Sequence, residues 1–172
     1  GLYQKHKLFD PRNPETQVDP GRFAFGQERL LATPLQMAMV AAGVANNGVV
    51  MRPYVVGKVV DSKGKTVTTT HPQSLGRAIK TQTAAELTAM MVAAVQSGTG
   101  TNAQISGVKV AGKTGTAETG IAHTNTTWFI CFAPAEAPRV AIAVVLERQH
   151  GFGGSIAAPI AKQVMQALLH GG

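Results

Sequence analysis

The stretch Gly107 to Thr116, "GVKVAGKTGT", satisfies two chemical patterns at once. Read from Gly107 it is G-x-x-x-x-G-K-T, in which successive backbone N–H groups and a helix N-terminus cradle phosphates. Read from Lys113 it is K-T-G-T, a strand-borne cation followed by two hydroxyls. Residues two apart on a strand point the same way, so Thr114 and Thr116 share a face. That arrangement suits a substrate carboxylate, toward which Lys113 supplies fixed positive charge. Gly115 removes a Cβ where a ligand or another backbone crowds. The Thr116 backbone N–H is then free to help stabilise a developing oxyanion.

Context separates the two patterns. A phosphate cradle needs a buried strand before Gly107 and a helix beginning at the Lys-Thr pair. Here the loop-like "GTGTNAQIS" (Gly98 to Ser106) comes first, Val108 to Ala111 reads as strand, and "GTAETG" after Thr114 has no helical period. The later apolar strand "AIAVVLE" ends in Glu147 and offers no Asp for a magnesium ion. The nucleotide reading fails and the substrate-binding strand remains.

The elements that must position this strand follow from caps and periodicity. "ATPLQMAMVAAGVANNG" reads as a helix with Thr33 as N-cap, Pro34 at the first position and Gly48 beyond its end. Its wide apolar face (Leu35, Met39, Ala42, Val44, Ala45) predicts deep burial. "VVMRPYVVGKVVDSKGKTVTTT" predicts two strands joined by the turn "DSKGK". "TAAELTAMMVAAVQSGTG" predicts a second helix, opened by a Thr83/Glu86 capping box and closed at Gly98. Strands follow over 108–117, 127–134 and 139–147, the last two joined tightly through "AEA". "GFGGS" (151–155) reads as a flexible lead-in to a closing helix, with Ser155 as N-cap and Pro159 tolerated near the first turns. Residues 1–29, rich in Pro, Asp, Asn and Gln, read as an irregular connector, and 30–172 as the folded part. The order predicts an α+β fold, an antiparallel sheet with flanking helices.

Composition narrows the remaining function classes. The net charge of +7 permits an anionic partner, but the densest basic clusters, "KHK" at 5–7 and "KGK" at 63–65, have no interleaved aromatics. Nucleic acid is therefore not expected. Cys131, the single cysteine, lies in the apolar run "WFICFA", so neither an internal disulfide nor a thiolate metal cluster can form. The five histidines lack helical i, i+3 or i, i+4 pairing, and no metal or cofactor is expected. No apolar run approaches the ~20 residues of a membrane helix.

Several ordered motifs carry a family resemblance: the T-P-L-Q-M-A helix, "ANNG" near its end, R-P-Y, G-T-G, G-K-T-G-T-A and "WFICFAP". From about Gly26 to Leu169 the chain resembles the C-terminal half of the transpeptidase domain of a class B penicillin-binding protein, most closely the actinobacterial penicillin-binding protein A group. The resemblance implies part of the penicillin-binding serine transpeptidase and β-lactamase-like fold, incomplete in this chain. It implies an acyl-serine D,D-transpeptidase that cross-links peptidoglycan stem peptides and is acylated by β-lactams. Lys113 and Thr116 would then be catalytic, and Thr114, Gly115, Thr116 and Trp128 would bind substrate. Core packing is the plainer role for Trp128, and surface-loop roles are plainer for His123 and Asn125.

That family also uses a Ser-x-x-Lys pair on a helix and a Ser-x-Asn motif, both upstream of K-T-G. "SKGK" (Ser62 to Lys65) lies in an expected turn, "SGVK" (Ser106 to Lys109) enters the catalytic strand, and no Ser-x-Asn occurs. The expected partner is thus an N-terminal part of the same polypeptide carrying both motifs, with the C-terminus near complete here. The resemblance further implies cell-division or elongation partners and a place on the extracytoplasmic face of the bacterial cytoplasmic membrane. A β-lactamase or β-lactam sensor of the same fold, and a non-catalytic binding fragment, are the alternatives; the hairpin and second helix between 49 and 97 favour the penicillin-binding protein.

Overall fold

A computed structural model describes residues 3–4, 7–8, 19–27 and 30–170. Within the expected connector, β1 (Tyr3–Gln4) and β2 (Lys7–Leu8) pair antiparallel, and Asp19 caps the one-turn helix α1 (Pro20–Ala24). Residues 1–2, 5–6, 9–18 and 28–29, with Lys5 and His6 of the basic cluster, lie outside the described residues.

α2 (Pro34–Ala45) starts where the sequence places it. Thr33 Oγ1 accepts from the Gln36 N–H at 3.1 Å and Gln36 Oε1 accepts from the Thr33 N–H at 2.8 Å, satisfying two orphan donors at once. Beyond its end Gly48 has φ +88°, and a Cβ there would collide with the Ile79 carbonyl. The helix is less buried than its composition predicts. Ala41, Gly43 and Val44 are buried, but Leu35 is 57% and Val40 51% exposed. α2 meets the sheet side through Ala41, Val44 and Ala45, while Met39 and Val40 face apolar grooves.

The segment after α2 also departs from expectation. β3 (Val49–Met51) does not belong to the hairpin; it pairs with β6 (Ser74–Arg77), a strand the sequence pattern missed. The expected turn does form, between β4 (Lys58–Val60) and β5 (Thr66–Thr69). Asp61 Oδ1 accepts from the N–H groups of Lys63 and Lys65, both at 2.9 Å, so the carboxylate closes the loop. α3 (Thr81–Gln96) begins ahead of the predicted Thr83 cap, with Lys80 as an N-cap that makes no side-chain bond. Glu86 is therefore inside the helix, where it accepts from Gln82 at 3.0 Å.

The sheet is three antiparallel strands in the order β7 (Ala111–Glu118), β8 (Asn125–Ala133), β9 (Val140–Gln149). β7 starts later than predicted because Val108 bridges back to Ile105. The β8–β9 link is held by the Ala135 N–H on the Lys109 carbonyl at 2.8 Å and by a Lys109–Glu136 ion pair. α4 (Gly153–His170) closes the chain and starts before Ser155, so Ser155 is not the N-cap. Instead its hydroxyl donates back to the Phe152 carbonyl at 3.0 Å.

Alternation along β8 divides two cores. Phe129, Cys131 and Ala133 pack on Ala157, Ala158, Ala161 and Met165 of α4, whose small side chains let helix and sheet approach closely. Phe132, on the other face, packs with Val44 of α2 and Met91 of α3. α3 touches both cores, through Met91 and Val95. The architecture is the predicted α+β arrangement.

Candidate active site

Lys113, Thr114, Gly115 and Thr116 lie together on β7, an edge strand among the described residues. Backbone groups of residues two apart point to the same edge. Gln27 Nε2 donates to the Thr116 carbonyl at 3.3 Å, and the Glu118 N–H donates to Gln27 Oε1 at 3.1 Å. Thr114, Thr116 and Glu118 therefore turn their backbone groups away from β8, and the Thr116 N–H faces the open edge. Lys113 Nζ reaches the same edge, donating to the Thr114 carbonyl at 2.6 Å. A cation, two hydroxyl-bearing residues and an outward N–H are thus gathered along one strand edge.

The threonine hydroxyls are held by elements that sequence reasoning did not recruit. Thr99, in the Gly-Thr-Gly loop after α3, shares a 2.7 Å hydrogen bond with the Thr114 hydroxyl. The Gly153 N–H at the start of α4 donates to Thr116 Oγ1 at 3.3 Å. Asn102 Nδ2 donates to the Gly154 carbonyl at 2.9 Å and ties this loop to α4. Within "GFGGS", Gly153 and Gly154 are buried and form a packed joint where a flexible lead-in was expected, while Phe152 stays exposed. A Cβ on Gly153 would lie 2.5 Å from the Gly115 carbonyl oxygen, and one on Gly154 would collide with the Thr99 carbonyl. The signal for this was present in the G-G pair itself, since two adjacent residues without Cβ permit close backbone approach.

Gly115 faces the opposite side, paired with Trp128 in the β7–β8 register. A Cβ on Gly115 would meet the Trp128 Cβ at 3.1 Å. Trp128, with Phe25, Leu30, Met37 and Gln27, lines a cavity of about 270 Å3 beside Gly115 and Thr116. Asn125 opens β8 and donates to the Gly151 carbonyl at 3.0 Å, while the His123 carbonyl meets His150 Nδ1 at 3.0 Å; both stabilise the loop at the strand end.

On the α2 side, Lys113 and Ile130 form one end of a groove of about 470 Å3 whose walls are Val40, Val44, Leu87, Met90, Met91 and Ala94. Its lining is almost entirely apolar apart from Lys113. Neither Ser-x-x-Lys string is near it in helical form: Ser62 lies in the β4–β5 turn, and Ser106 in the turn before the Val108 bridge.

The penicillin binding protein transpeptidase domain matches residues 10–166. The chain belongs to that family. The peptidoglycan D,D-transpeptidase PbpA of Mycolicibacterium smegmatis is 45% identical over 159 residues, covering 88% of this chain and 32% of that protein. PbpA of Mycobacterium tuberculosis is 42% identical over 158 residues, with the same coverage of 88% and 32%. The ceftriaxone acyl-enzyme complex of M. tuberculosis penicillin-binding protein A superposes with a TM-score of 0.81 at 40% identity, over 87% of this chain and 35% of that one. This member of the transpeptidase family therefore spans about a third of the length of the curated relatives it matches.

Proposed function

We propose that the polypeptide containing this chain is a D,D-transpeptidase that cross-links peptidoglycan stem peptides through an acyl-serine and is acylated by β-lactams. The observation that carries this reading is the open edge of β7, where Lys113, Thr114 and the Thr116 N–H converge. Lys113 and the threonine hydroxyls take the terminal carboxylate of a D-Ala–D-Ala end. The Thr116 N–H, one station along the edge, polarises the scissile carbonyl and stabilises the tetrahedral oxyanion. Gly115 keeps the strand thin against Trp128, which lines the cavity beside Thr116 where it can touch the bound stem. A serine from an N-terminal part of the same polypeptide attacks, the terminal D-Ala leaves, and an amine on a second stem takes the acyl group.

That N-terminal part also brings the Ser-x-x-Lys and Ser-x-Asn motifs. Its seat is the apolar groove of α2 and α3, which ends at Lys113, so a helix laid there delivers its hydroxyl beside the edge. The site of action is the extracytoplasmic face of the bacterial membrane, where stem peptides are displayed, alongside division or elongation proteins. No helix among the described residues is long and apolar enough to cross a membrane. The test is fluorescent penicillin labelling of the intact protein followed over hours. A long-lived adduct, weakened about 100-fold in rate by Lys113→Ala, supports the reading; no adduct sinks it, and rapid release marks a β-lactamase instead.

A further inference from the structure

The amide of Gln27 takes both edge groups that a continuing strand would take from β7: the Thr116 carbonyl at 3.3 Å and the Glu118 N–H at 3.1 Å. The contact is braced. Arg22 of α1 pairs with the Glu118 carboxylate at 2.9 Å, and Phe25 and Gln27 stand with Trp128 around the cavity beside Thr116. The segment from α1 to Gln27 therefore closes the far end of the same edge whose near end holds Lys113.

We propose that Gln27 is a positioning residue that ends the substrate-pairing edge of β7 and so sets how much of the donor stem lies along it. This rests on the function proposed above. If the terminal carboxylate docks at Lys113 and Thr114 and the scissile carbonyl at the Thr116 N–H, the rest of an extended donor runs toward Glu118. The first amide beyond the scissile bond can still share the Thr116 carbonyl, which has two lone pairs. The next station, the Glu118 N–H, is already satisfied by Gln27 Oε1. Residues further up the stem find no backbone partner there and are turned off the strand. The enzyme thus reads the D-Ala–D-Ala end through β7 and leaves the upper stem to other surfaces.

The experiment uses the full-length protein and two ester donors ending in D-Ala–D-lactate, one capped by acetyl and one carrying a tripeptide stem. Gln27→Ala opens the Glu118 station, so kcat/KM for the stem donor rises about fivefold relative to the acetyl donor, the gain of one net hydrogen bond, and it is carried by KM. Gln27→Glu keeps an acceptor for the Glu118 N–H and returns the ratio toward wild type. An unchanged ratio in Gln27→Ala, or an equal fall for both donors, overturns the proposal, because a purely structural contact would act on both alike. Independently of activity, Gln27→Ala should speed amide exchange at Glu118 about tenfold; unaltered exchange removes the contact and the proposal with it. A wild type that takes neither penicillin nor donor overturns the transpeptidase reading itself, whereas a labelled wild type with an unchanged ratio overturns only the role of Gln27.

Discussion

Gly153, the first residue of α4, sits against Gly115 of β7 so closely that a Cβ on Gly153 would stand 2.5 Å from the Gly115 carbonyl oxygen. The Gly153 N–H is also the donor to Thr116 Oγ1. One backbone position therefore both sets the spacing between helix and strand and orients a hydroxyl at the edge. Gly153→Ala forces α4 away from β7. Its expected cost is about 2–3 kcal/mol in unfolding free energy, within the range of overpacked core sites. Penicillin acylation of the intact protein should fall at the same time, while Gly64→Ala, in the exposed β4–β5 turn, should affect stability through its φ of +81° and leave acylation as it was.

The Thr99–Thr114 hydrogen bond links the loop after α3 to the strand. Replacing either threonine by valine leaves its partner hydroxyl without this bond, and replacing both removes the pair. A double-mutant cycle on urea unfolding should give a coupling of about 1 kcal/mol. A coupling near zero would mean that the two hydroxyls do not depend on each other.

How far the sequence reveals this depends on whether a feature is local. The Thr33 cap, Gly48 at positive φ, the Asp61 turn and the strand character of Lys113 to Thr116 all follow from short-range rules, and all were legible. β6 was not, because its partner β3 is more than twenty residues away and Gly76, mid-strand at φ +117°, breaks the alternation. The start of α3 was misplaced because a plausible cap at Thr83 competes with a longer helix that tertiary packing on both cores favours. At the site, K-T-G-T identified the strand, but Thr99, Gly153 and Gln27 reach it from three other segments. Nothing in the spacing of Gln27, 89 positions before Thr116, announces that contact.

Cys131 offers a pH test of the core. Burial pushes its thiol from an ordinary 9.0 up to about 12, with Met165 Sδ at 3.6 Å from its sulfur. Between those values the unfolded chain has lost the proton and the native chain still holds it. The unfolded state then binds fewer protons, so stability falls as pH rises through that window and levels off above it. The effect is bounded at about 4 kcal/mol by the size of the shift. The measurement is the difference between wild type and Cys131→Ala, which isolates the thiol. That difference should be flat below pH 9 and should then move in favour of the variant; parallel curves would show that the thiol is not desolvated as placed.

The apolar arc of α2 gives the last prediction. Val40 is 51% exposed and Val67, on β5, is 66% exposed, so by exposure alone an aspartate should be tolerated at both. They differ in what lies beside them. Val40 helps wall the groove that ends at Lys113, and Val67 does not. If that groove seats the N-terminal part of the polypeptide, Val40→Asp buries a carboxylate among apolar walls in the intact protein. It should then cost about 3 kcal/mol. Val67→Asp should cost at most about 0.5 kcal/mol, as an ordinary surface change. Unfolding of the two intact variants, with penicillin acylation measured alongside, separates the cases. Equal and small effects would mean that α2 faces solvent in the whole protein, and the nucleophile would then have to reach Lys113 from another side.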